Sequence, residues 1–163
     1  MNKHADKYGG LVKELISRSF PGLKDEKIKI KESPSWLDLS FVAFGIKNSY
    51  IFVNKSLRKE NSKGVRGTLV HELCHIETDK KSIKIWGFFR WVLINLSWLF
   101  NTKMSRQIER TADIDTIKKG YGKELLYHAL KREKKYSKKR LTKVYSRGYL
   151  SPKQIKQEMK KLK

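Results

Sequence analysis

The stretch that most limits what this chain can fold into is His71-Glu72-Leu73-Cys74-His75. An α-helix turns about 100° per residue, so His71 and His75 leave one face within reach of a single metal ion, with Glu72 beside them. Two imidazoles at this spacing suit Zn²⁺ with an open position for water. A neighbouring carboxylate that is not a ligand can take that water's proton. The chain has four histidines in all, and two of them sit here. The residues around them predict a helix that starts at Asn61-Ser62. It carries Val65, Leu69, Leu73 and Ile76 on one side and Val70 and Cys74 on another. A helix so apolar is buried, and His71, Glu72 and His75 on it are costly unless a cation compensates them. Cys74 reads as a small core residue.

Two histidines do not complete a zinc site. Downstream, Glu109-Arg110-Thr111-Ala112-Asp113 puts Glu109, Ala112 and Asp113 on one face of a second helix. A solvated acidic face near Arg106 and Arg110 is the plain alternative for these carboxylates. HExxH followed by a helical ExxAD resembles the gluzincin metallopeptidases. That resemblance implies His71, His75 and Glu109 as zinc ligands, Glu72 as the catalytic base, and Asp113 as the residue that orients a ligand histidine, His71 in the expected arrangement. A carboxylate on the far ring N–H fixes tautomer and ring angle, and a small Ala112 lets two helices approach.

The rest of the chain predicts an α+β domain. Leu11, Val12, Leu15, Ile16 and Phe20 recur at helical spacing from Tyr8 until Pro21-Gly22 stops the run. Three strand-like stretches follow, Lys27 to Lys31, Leu37 to Ile46 and Ser49 to Asn54, with Lys47-Asn48 as a short turn. A small antiparallel sheet with the Ser49 strand at an edge is expected. The order of backing helix, three-stranded sheet, HExxH helix and glutamate helix is similar to that of the minigluzincins and of the catalytic cores of membrane-associated gluzincins. The resemblance covers roughly residues 8–130 of a domain read as 1–130, and implies a zincin-like fold whose edge strand from Tyr50 to Asn54 pairs with extended peptide or unfolded protein substrate. Beyond Gly120-Tyr121-Gly122, a helix from Glu124 to Lys135 carries His128, and Ser151-Pro152 opens a last short helix. His128 reads first as a structural or exposed residue; as a group that stabilises an oxyanion it has equal rivals in Tyr121, Tyr145, Tyr149 and Arg147. In some minigluzincins a C-terminal segment occludes the cleft, and nothing in these residues indicates it.

Residues 85–100, IWGFFRWVLINLSWLF, hold three of the four tryptophans and lie between the two ligand helices. As a helix they reach about 24 Å, short of a hydrocarbon core of about 30 Å. A single span would also put His75 and Glu109 on opposite sides of the membrane. Two readings stay open, a segment that dips into an anionic lipid interface and an apolar lid on the protein. The charge is strongly positive, with 38 Lys and Arg against 16 Asp and Glu, a formal +22. Residues 131–163, a basic helical tail, hold 14 Lys and Arg and 2 Glu, a net +12. Such asymmetry favours an anionic partner, a membrane surface before nucleic acid. Cys74 is the sole cysteine, so no intrachain disulfide can form, and the N-terminus lacks the apolar core of a signal peptide. A cytoplasmic protein with peripheral membrane attachment fits. Two other functions compete with a peptidase: a SprT-like DNA-associated protease, with His128 as third ligand, and a non-enzymatic nucleic-acid-binding protein with structural zinc.

Overall fold

The structure is a computed structural model that describes residues 3–33, 40–44, 48–100 and 103–162. For residues 3–7, 43–44, 55, 59 and 82–100 it describes the backbone alone. Helix α1 (Lys3–Ser19) packs on a three-stranded sheet of β1 (Ile28–Glu32), β2 (Phe41–Phe44) and β3 (Ser49–Val53). Helix α2 (Ser62–Phe100) follows, then α3 (Lys103–Thr116), α4 (Gly122–Lys135), α5 (Lys138–Tyr145) and α6 (Pro152–Lys161). The fold is therefore α+β and mostly helical.

The sheet differs from the expected one in two respects. Its order is β1-β3-β2, with β3 parallel to β1 and antiparallel to β2, so it is mixed. The Ser49 strand lies in the middle, and the expectation that Tyr50–Asn54 forms a substrate-pairing edge is corrected: both of its sides carry partners. The physical reason lies in the side chains. Ser49, Ile51 and Val53 are buried in alternation with the half-buried Tyr50 and Phe52. The Lys residues of β1 keep to its exposed face, as suits an edge. Register pairs Ile30 with Ile51 and Val42 with Ile51, and the Phe41 and Phe52 rings stack at 4.7 Å. The expected β2–β3 hairpin is present, with Phe44 opposite Ser49; residues 45–47 of its turn lie outside the described residues.

The main core fills the space between sheet, α1 and α2. Tyr8, Val12, Leu15 and Phe20 meet Ile51, Val53, Leu69, Val70, Leu73 and Ile76 there. At about 25 cal/mol per Å² of apolar surface, each of these large side chains stabilises the fold by roughly 1.5–3 kcal/mol. A second, smaller core joins Ile117, Leu125 and Ala129 to Leu150 and Ile155, so the C-terminal residues pack on α4 and on the turn before it. Ser151 caps α6 through a reciprocal box with Gln154. Chain direction changes between α3 and α4 at a wide helical turn over Ile117–Tyr121, with Gly120 at φ 90°.

The apolar stretch 85–100 continues α2 as helix. Its side chains lie outside the described residues, and with them the choice between lid and lipid interface. Among the described residues, no helix is long and apolar enough to cross a membrane.

Candidate metal centre

The site begins with the start of α2. The Asn61 side chain accepts from the Gly64 N–H at 3.0 Å and fixes where the helix begins, so His71, Glu72 and His75 fall between its second and fourth turns. One turn before His71, α4 crosses so closely that a Cβ on Gly67 would stand 2.9 Å from the Glu124 carbonyl oxygen. That approach brings His128 and Arg132 of α4 to the same cavity as His71 and Glu72. Helix α3 lies along the other side of α2, with Ala112 buried at the contact, and presents Glu109 and Asp113.

His71, Glu72, His75, Glu109 and Asp113 are all buried. Nε2 of His71 lies 3.0 Å from Nε2 of His75 and 3.1 Å from Oε2 of Glu109, and the third side of the triangle is 3.6 Å. Ligands about 2.0–2.1 Å from a tetrahedral metal stand about 3.3 Å apart, so these three atoms are spaced as one ion requires. Among the described residues, no other three His, Cys, Asp or Glu side chains converge in this way. On the far side of the ring, Nδ1 of His71 lies 2.9 Å from Oδ1 of Asp113, and neither atom has another partner among the described residues. A proton on Nδ1 leaves the Nε2 lone pair facing His75 and Glu109. Three electron-rich atoms then share one small buried space, and a cation between them removes their mutual repulsion.

Without a cation, protons do that work. Burial pushes the His71 pKa down, but Asp113 and Glu109 outweigh it and hold it well above the usual imidazole value. Burial also opposes ionisation of Glu109, yet His75 and His71 together hold it at about 2. Glu72 differs: burial pushes it up to about 6, against the pull of His71 and His75. A carboxyl near neutrality can both accept and return a proton at ordinary pH. Cys74 lies in the core, its thiol pushed up to about 12 by burial and its Sγ 3.7 Å from the Thr116 hydroxyl, well suited to packing and poorly to ligation.

The cavity that opens on Glu72 and His71 has a volume of about 120 Å³. Among the candidate oxyanion groups, His128, Arg147 and Tyr149 line it. Tyr121 lies elsewhere, its hydroxyl 2.9 Å from the Ser19 hydroxyl, and Tyr145 donates to Glu133 at 2.9 Å. His128 stays outside the three-atom cluster, and burial, helped by Arg132, lowers its pKa to about 3. Tyr149 stacks on His71 with ring centroids 5.7 Å apart; burial and the charges of Glu109 and Glu72 keep its hydroxyl protonated well above 10.

Sequence reasoning missed how residues 147–150 reach this corner. The backbone N–H of Leu150 donates to Oδ2 of Asp113 at 2.7 Å. Two residues earlier, Gly148 has φ 106°, and a Cβ there would overlap the Arg106 carbonyl oxygen. Both the left-handed backbone and the close approach demand glycine. A signal was available in Arg147-Gly148-Tyr149, a glycine between two large side chains after a helical run, but nothing local says which surface it meets. No family model, curated protein or solved structure matches the chain.

Proposed function

We propose that the protein is a zinc-dependent endopeptidase of gluzincin type, with His71, His75 and Glu109 as the metal ligands and Glu72 as the general base. The observation that carries this reading is the spacing of three buried ligand atoms, 3.0 to 3.6 Å apart, at a cavity that Glu72 also lines. When bound, zinc supplies Lewis-acid polarisation of a peptide carbonyl and acidifies a water. The protein's own groups do the rest. Glu72, which lines the cavity beside the ligands, takes the water's proton and later hands it to the leaving amine. Asp113 holds His71 in one tautomer and at one ring angle. Tyr149, protonated and packed on His71, donates toward the charge that develops on the carbonyl oxygen. Enclosure by α4 and the 147–150 loop limits bulk water around these groups.

The test combines metal content and hydrolysis of unfolded casein for the wild type and for Glu72→Gln. Expected are about one zinc per chain in both proteins, with casein cut by the wild type and left intact by the variant. Wild-type protein that holds zinc without cutting casein, or a variant as active as wild type, would overturn the reading.

A further inference from the structure

Away from the ligands, the cavity is lined by the basic side chains Arg132 and Arg147. The guanidinium of Arg132 has Nε and Nη2 buried, and neither makes a hydrogen bond among the described residues. A guanidinium keeps its charge in any protein environment, and leaving two of its buried N–H groups without an acceptor is unfavourable. The face of Tyr149 lies 5.1 Å from its Cζ, and that ring also stacks on His71. Arg147 lines the same cavity. Arg132 also lines an adjoining groove of about 220 Å³ that shares Ser56, His128 and Tyr136 with the cavity and carries Lys135 and Lys131, the latter donating to Glu60 of the same groove at 2.6 Å. The carboxylates that line the cavity, Glu72 and Asp113, belong to the metal side, and Asp113 already faces His71 and Leu150. Among the described residues, no anion meets Nε and Nη2 of Arg132.

We infer that Arg132, backed by Arg147 and by Lys135 of the adjoining groove, is a specificity residue that receives a carboxylate of the peptide bound in the cavity. The inference rests on the peptidase reading only for the identity of the ligand as a peptide. An acidic side chain and a free C-terminus offer the same chemistry, a planar group that a guanidinium grips with two parallel hydrogen bonds. Lysine in place of Arg132 keeps the charge and loses the fork.

Binding of three fluorescein-labelled Ala/Gly decapeptides to full-length Glu72→Gln protein, read by anisotropy, tests this. One peptide carries a central Glu and an amidated C-terminus, the second has Gln in its place, and the third has Gln with a free C-terminal carboxylate. The Glu peptide or the free-acid peptide is expected to bind about 10-fold or more tightly than the neutral one, and which of them does so identifies the source of the carboxylate. Adding Arg132→Gln should level all three, Arg132→Lys should keep part of the preference, and Lys153→Gln, on the exposed face of α6, should change nothing. Bound zinc and melting temperature check that each variant is folded. Equal affinities in the parent protein, no binding by any of the three, or a preference that survives Arg132→Gln overturns the inference. Carboxylate binding without hydrolysis of any substrate by wild type defeats the peptidase reading alone. Casein cleavage with no carboxylate preference defeats the inference alone.

Discussion

The two walls of one cavity are built on opposite principles. On the metal side, His71, His75, Glu109 and Asp113 face one another at 2.9 to 3.6 Å, and Asp113 also accepts from the Leu150 N–H. On the facing side, Arg132 keeps buried N–H groups that nothing among the described residues accepts. One wall is arranged around a cation and the other around an anion. A site of this kind polarises its contents before any substrate arrives, because in a water-poor cavity both charge sets act at short range with little screening.

The difference between the walls can be broken from either side. The largest effect is expected from the metal wall: Glu109→Ala should lose the metal and all hydrolysis, while His128→Ala on the facing wall keeps about one metal per chain, as measured by atomic absorption. Metal retained by the first variant and lost by the second would exchange their roles. Next, Asp113→Asn should weaken metal affinity or activity by roughly 10 to 100-fold, the usual cost when the partner of a ligand histidine is altered. A chelator titration reads the affinity directly. Gly148→Ala should cost about 2 to 4 kcal/mol in urea unfolding, from a strained left-handed alanine and its overlap with the Arg106 carbonyl, and should loosen the metal with it. An unchanged midpoint would mean that the loop tolerates displacement from Asp113.

The smallest effect concerns pH and belongs to the facing wall. His128 has a folded-state pKa of about 3 against an ordinary 6.5, so between these values the unfolded chain binds a proton that the folded one refuses. Its contribution to stability is fully present above pH 6.5 and is lost as pH falls toward 3. His128→Gln should flatten that part of the stability profile relative to wild type, measured as a difference so that titration of the ligands cancels.

The metal wall was legible in the sequence because helical periodicity is local. Spacing of four between His71 and His75, and of four between Glu109 and Asp113, fixes a shared face whatever the rest of the chain does. The caps at Asn61 and Ser151 were readable for the same reason. Strand order was not, because the parallel pairing of β1 with β3 depends on which strand of the β2–β3 hairpin docks beside β1, and no local pattern encodes it. The facing wall was equally hidden. Arg132, Arg147 and Tyr149 share no spacing that a single helix would align, and they meet because α4 and the 147–150 loop fold onto the same corner. Arg147 and Tyr149 stood among several equal candidates, and Arg132 was visible only as part of a basic tail. Leu150 and Ile155 in the second core make that tail a supporting element as well, so tests of its attraction to anionic vesicles belong on exposed residues such as Lys139 and Lys156 rather than on a truncation.

The division of Asp113 between two partners has a consequence in time. One of its oxygens meets a ring 42 residues earlier in the chain and the other an amide 37 residues later. During synthesis from the N-terminus, the HExxH helix and the glutamate helix exist before Leu150 has been made. In that interval the carboxylate is without its second donor, and the ring it should hold is free to turn. The corner around Asp113 therefore gains its last hydrogen bond only when the 147–150 loop reaches α3, late in synthesis.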